Sequence, residues 1–177
     1  LRLTHDAGAM RLDFDFHGHG GYAIARRDAP VDLPENFELA FRLRAEAPVN
    51  TLEIKLVDDS GENVWWTTKR DWDFPREWRR VSIKKRQFEF AWGPLGPSPL
   101  PKQIAAIEIV VTAGTGGKGS VWIDDLTLSS LPPPSSTPPP VLGPWSSPRG
   151  GAQNATFDLG ARHELGGLVV DWGDAFA

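Results

Sequence analysis

There is no cysteine in this chain. That excludes disulfides and thiol chemistry, and it removes the commonest ligand of structural zinc sites. Long apolar runs are missing too: none reaches the roughly 18 residues of a membrane-spanning helix. No segment sustains a helical period. Neither sign of charge dominates, since the net charge is −4, so no general attraction to nucleic acid or to an anionic membrane is expected. A Gly-x-Ser-x-Gly elbow is absent, and no acidic pair sits in a setting that would split two carboxyl pKa values for acid and base work. The chain opens on Leu1 and shows no leader-like segment. It is therefore expected to be a piece excised from a longer protein.

What is present is a succession of short strands. Met10, Leu12, Phe14 and Phe16 alternate with polar residues. Phe37, Leu39, Phe41 and Leu43 do the same, as do Leu52, Ile54 and Leu56, with further runs at 64–68, 81–83 and 107–111. A two-residue period puts one face inward and one outward. Glycine and proline punctuate the gaps, as at Gly20-Gly21, Pro34, Pro48, Gly61 and Gly93-Pro94. Such spacing predicts an all-β, antiparallel sandwich. In the last strand, Val121 and Ile123 are apolar at odd positions and Leu126 and Leu128 at even ones. This flip predicts a β-bulge at Asp124-Asp125. The basic positions from Arg76 to Arg86 alternate around Val81 and Ile83 and read as the solvated face of a strand. Leu131 to Pro144, LPPPSSTPPPVLGP, reads as an extended, semi-rigid spacer. The predicted division is therefore a first domain over 1–130, a linker over 131–144, and a second module beginning at 145.

Tryptophan is the abundant residue. Five of the eight lie at 65, 66, 72, 78 and 92. Flat rings among hydrogen-bonding side chains suit a sugar-binding surface, where the ring stacks on C–H groups and the polar groups read hydroxyls. Adjacent strand residues point to opposite faces, so Trp65 and Trp66 cannot both be core. If Val64 marks the inner face, Trp66 is core and Trp65 faces outward with Arg42, Arg44, Glu53 and Lys55. Trp72, expected in the following loop, then walls the groove, with Arg70 beside it. Trp78 is expected in the core, and Trp92 is either core or groove rim. The expected carbohydrate-binding set is Trp65, Trp72, Trp92, Arg42, Glu53, Lys55 and Arg70.

Three other segments have weaker chemical readings. Gly114 to Ser120 is glycine-rich, but Gly119 separates Lys118 from Ser120 and a strand follows it. A phosphate loop needs a helix there, so a hairpin turn is the better reading. His17 and His19 flank Gly18 without an evident third ligand and read as a solvated loop. Asp124 and Asp125 at the bulge are either calcium ligands or solvated, capping carboxylates.

Two resemblances extend this reading. Residues 9–128, through Gly8-Ala9-Met10-Arg11-Leu12-Asp13-Phe14, Asn50 to Leu56, Glu77 to Ile83 and the closing Gly119 to Leu126, resemble the galactose-binding-like jelly-roll sandwiches of bacterial carbohydrate-binding modules. That likeness implies a non-catalytic module that targets an attached glycoside hydrolase to a polysaccharide or oligosaccharide. It also implies a structural Ca2+ with Asp124 as ligand, and a secreted or periplasmic location. Residues 145–177, through Trp145-Ser146-Ser147, Phe157-Asp158-Leu159-Gly160 and Leu165 to Trp172, resemble the opening of a discoidin, or coagulation factor 5/8 C-terminal type, domain. Such a domain needs about 130–150 residues, so a truncated start and covalently linked downstream modules are expected. Two other readings fit the same residues. One is a protein-interaction sandwich, with the outward Trp and Arg as hot spots; the other is a glycosidase or lyase built on the sandwich.

Overall fold

A computed structural model describes residues 1–133, 142–146, 153–160 and 168. The chain divides into two units, Leu1–Pro134 and Ser135–Ala177. The first is all β. In chain order its strands are β1 (Arg2–Asp6), β2 (Ala9–Asp15), β3 (Tyr22–Asp32), β4 (Phe37–Glu46), β5 (Asn50–Val57), β6 (Val64–Trp72), β7 (Arg79–Lys84), β8 (Glu89–Trp92), β9 (Gln103–Thr112) and β10 (Lys118–Ser130). A short 3-10 turn, Lys85–Gln87, joins β7 to β8. Two five-stranded antiparallel sheets result, ordered β1-β2-β10-β4-β7 and β3-β9-β5-β6-β8. They form the predicted jelly-roll sandwich.

The alternation in sequence becomes the packing. Leu12 and Phe14, Leu39, Phe41 and Leu43, and Val81 and Ile83 point inward from the first sheet. Leu52, Ile54 and Leu56 meet them from the second, with Ile107, Ile109 and Val111. Each side chain removed from water contributes roughly 1.5–3 kcal/mol. The interior therefore dominates the stability of a chain without disulfides.

The bulge in β10 lies where the register flip placed it. Pairing with β4 shifts between Asp124 and Thr127, and Asp125 takes a left-handed backbone with φ 52°. Three strands were not read from the sequence: β1, β3 and β8. In β3 the inward positions are Ala23 and Ala25, whose small side chains leave almost no apolar period to detect. The Gly114–Gly117 segment is not a hairpin turn. It joins β9 in one sheet to β10 in the other. It is held by fully buried Asn50, whose side-chain oxygen accepts the amides of Gly114 (2.8 Å) and Gly116 (2.9 Å). His17 sits in an exposed turn, its backbone amide donating to Asp15 at 2.8 Å.

In the second unit, residues 142–146, 153–160 and 168 carry no helix or strand. Phe157 to Gly160 lies among them, and the Gly160 amide donates to Asp158 at 2.8 Å. The remaining discoidin-like positions, Ser147 and 165–172 apart from Leu168, lie outside the described residues, as do linker residues 134–141.

Candidate functional site

The outer face of the second sheet is built by β5, β6, β8 and β9. On β5 the inward residues are Leu52, Ile54 and Leu56, so Glu53, Lys55 and Val57 face out. Register then assigns β6. Trp65 lies opposite Leu56 and Trp66 opposite Lys55. Directly paired residues share a face. Trp65 is therefore core and Trp66 is outward, the reverse of the expectation.

The packing agrees with the register. Trp65 is 1% exposed, its indole N–H donates to the Ser98 carbonyl at 2.8 Å, and its ring meets Phe90 edge-on at 5.6 Å. The expectation failed at Val64. That residue is apolar and buried, but with Val57 and Ala106 it forms a small cluster apart from the main core. An apolar residue on an outer face gives the wrong parity.

Trp92, on edge strand β8, lies opposite Val64 and is 45% exposed. Its ring meets Trp66 in a T-shaped contact, centroids 5.7 Å apart and planes at 83°. Lys55 Nζ lies 5.1 Å from the Trp92 ring centroid. The same ammonium pairs with Glu53 at 3.0 Å, and Glu53 accepts a 2.8 Å hydrogen bond from the Thr112 hydroxyl. Glu53 and Lys55 are 7% and 8% exposed. A charge pair this deep is held in one geometry by its neighbours; its value is orientation more than stability. In the register of the same face, Glu108 lies opposite Lys55 and Arg26 opposite Glu108. Arg26 donates to Glu108 at 2.8 Å and to Asp28 at 2.7 Å. The result is an exposed aromatic edge beside a row of ordered, mutually paired polar groups.

The other expected site residues lie elsewhere. Arg42 is on the first sheet, opposite Arg80 of β7, and so cannot share a face with Glu53 and Lys55. It pairs with Asp125 at 3.4 Å and lies 4.9 Å from the Trp78 ring. Trp78 is half-buried there and not core. Arg44 lies 5.5 Å from Trp78 and 3.9 Å from Trp122, and Arg11 4.9 Å from Trp122. This arginine–tryptophan ladder seals the outside of the first sheet, and Trp122 is only 4% exposed. Trp72 does not wall the groove. It pairs with Asn50, packs against the core and lies 4.9 Å from Phe74. Arg70 is exposed at the irregularity in the β5–β6 ladder, between the Leu52–Lys69 and Asn50–Trp72 pairs. Sequence reasoning missed Trp66, Arg26, Glu108 and Thr112. Only Trp66 carried a signal, the aromatic pair itself.

Asp124 accepts the Asp125 amide at 2.9 Å, while the Asp125 carboxylate is engaged by Arg42. Among the described residues no group of three or more acidic, histidine or cysteine side chains converges. Two carboxylates, one held by a guanidinium, fall short of the six to eight oxygens calcium takes. Among the described residues the side chains do not make a calcium site by themselves.

No family model matches this chain. No curated protein matches it either. Solved structures do. An exo-beta-agarase is similar at 17% identity and TM-score 0.54, over 71% of this chain and 21% of that one. A second agarase is similar at 13% identity and TM-score 0.54, over 75% and 22%. The family 11 carbohydrate-binding module of Clostridium thermocellum, in complex with a beta-1,3-1,4-mixed-linked tetrasaccharide, is similar at 12% identity and TM-score 0.53, over 71% and 78%. These likenesses show the fold. The matched region spans about a fifth of each agarase.

Proposed function

We propose that this chain is a non-catalytic carbohydrate-binding module and that its outer second-sheet face takes a polysaccharide. The observation carrying the proposal is the exposed Trp92 ring beside Trp66, with Glu53 and Lys55 fixed at their feet. A ring half open to solvent offers a stacking surface. Buried, pre-oriented polar groups next to it can read hydroxyls with little ordering cost. Arg26 and Lys55 are both engaged by carboxylates, and Glu53, Glu108, Asp28 and Glu89 outnumber them on this face. That balance favours a neutral glycan over a sulfated or uronate-rich one. The similarity in fold to a module seen with a mixed-linked tetrasaccharide, and to parts of two agarases, supports the same reading.

In the proposal an attached glycoside hydrolase, outside this sequence, is delivered to its substrate by the module, and residues 145–177 begin a further module of the discoidin type. The test is calorimetric titration of the 177-residue chain against mixed-linked β-glucan, agarose and a sulfated galactan, with Trp92→Ala alongside. Binding to a neutral glycan that the substitution abolishes is the expected result. No binding to any of them overturns the proposal, and release of reducing ends by the chain overturns its non-catalytic part.

A further inference from the structure

We infer that the buried Asp58–Asn63 turn, with Gly93 seated against it, is the positioning element that sets the Trp92 ring in the platform. The inference rests on the platform reading above and concerns residues other than the rings themselves.

Strand β8 is four residues long and lies at the edge of its sheet, and its ladder with β6 breaks between Val64 and Trp65. Such an edge has few hydrogen bonds of its own to hold a large ring. The structure supplies the hold from the β5–β6 loop. Asn63, 3% exposed, reaches across with its side-chain oxygen to accept the Leu95 amide at 3.0 Å. Its amide nitrogen donates back to Asp58 at 2.7 Å. Asp58, 8% exposed, also accepts the Ser60 hydroxyl at 2.7 Å and the Asn63 backbone amide at 3.3 Å. Both polar atoms of the Asn63 side chain are thus engaged, the oxygen across to Leu95 and the nitrogen within its own turn.

Gly93 follows Trp92 immediately and makes the crossing possible. Its φ is 137°, a backbone that side-chain-bearing residues rarely adopt. A Cβ there would lie 2.4 Å from Asn63 Oδ1 and 2.7 Å from both Asn63 Cα and the Glu62 carbonyl oxygen. Two of those three atoms are backbone and cannot swing aside. Any side chain at this position must push the chain away from the turn, and Trp92 is the adjoining residue. The Gly96 amide donates to the Gly93 carbonyl at 3.2 Å, so the displaced segment cannot absorb the shift without losing a second turn.

The test reads ring placement with and without sugar. Two indoles 5.7 Å apart and nearly perpendicular give an exciton-coupled circular dichroism signal that depends on their mutual geometry. In the 177-residue chain, Gly93→Ala and Asn63→Ala are expected to lose that couplet as fully as Trp92→Ala does. They should also weaken binding of mixed-linked β-glucan or agarose oligosaccharides at least tenfold. Asp58→Asn, which keeps an acceptor for Asn63, is expected to retain most of both. Trp65→Phe is the control: it lowers the melting temperature but keeps the couplet. A couplet unchanged in Gly93→Ala and Asn63→Ala overturns the inference. If Gly93→Ala does not fold, the Asn63 and Asp58 variants decide. If the unaltered chain binds neither glycan, the platform reading fails while the couplet still judges the positioning.

Discussion

Alanine at Trp65 and alanine at Trp92 should produce opposite phenotypes, and the contrast tests the facing of β6 directly. Trp65 is 1% exposed within the main core. Truncating a buried tryptophan costs about 3–5 kcal/mol, the sum of lost transfer energy and the residual cavity. It also strands the Ser98 carbonyl that accepted the indole N–H. For a domain of this size, 1 kcal/mol moves the melting temperature by roughly 3–5 °C. Trp65→Ala is therefore expected to lower it by about 10–20 °C. Trp92 is 45% exposed and leaves no cavity. Its loss removes the cation–π contact to Lys55 and the edge contact to Trp66, together about 1–2 kcal/mol, a shift of roughly 3–10 °C. Binding should reverse the order. Trp92→Ala should weaken affinity tenfold or more, which is about 1.4 kcal/mol, while any Trp65→Ala chain that remains folded should still bind. Scanning calorimetry and glycan titration on the same samples give both numbers. A Trp65→Ala chain that melts within about 2 °C of the original and loses binding would refute the facing assigned to β6.

Three further predictions follow from other contacts. Lys55→Met leaves Glu53 buried without its cation and should destabilise by about 3–5 kcal/mol, while Lys55→Met with Glu53→Leu should recover most of that in urea unfolding; equal losses in both would show that the pair is not buried as a unit. For Asp58, burial pushes the carboxyl pKa upward, but hydrogen bonds from Ser60, the Asn63 side chain and the Asn63 and Gly61 amides outweigh it, and the net shift is downward. A depressed folded pKa gives stability that is present above the unfolded value near ~3.9 and is lost as pH falls through the folded value. The melting-temperature gap between the original chain and Asp58→Asn should therefore hold at neutral pH and shrink below about pH 4, and a gap constant to about pH 2 would contradict this. Calcium at Asp124 is tested by chelation. With Asp125 engaged by Arg42 and no third ligand side chain beside Asp124 among the described residues, EDTA should leave the melting temperature unchanged, whereas a fall that Asp124→Ala abolishes would establish the ion.

The strand alternation at Leu12 to Phe16, Phe37 to Leu43, Leu52 to Leu56 and Val81 to Ile83 was legible without coordinates, and so was the bulge at Asp124-Asp125. Both are local. Successive side chains must point to opposite faces, and an apolar row on one of them announces burial. Where the apolar row was short or absent, as in β1 and β3, no strand was visible. The aromatic segment was legible as an unusual feature, but not which ring belonged to which face. Val64, Trp65 and Trp66 are all apolar, and a run that is apolar on both sides has no readable phase. Long-range register settles it: Leu56 opposite Trp65 makes Trp65 core, and Lys55 opposite Trp66 makes Trp66 surface. Arg42 shows the second limit. Alternation says that it leaves the core side of its own strand, yet says nothing of which sheet that strand joins. Only the hydrogen-bonded order, β4 between β10 and β7 and β5 between β9 and β6, separates Arg42 from Glu53 and Lys55. The sequence by itself thus determined a two-faced all-β sandwich rich in tryptophan. The tertiary structure decided where Trp92, Trp66, Lys55 and Glu53 meet, because sheet membership is set by pairing between residues far apart in the chain.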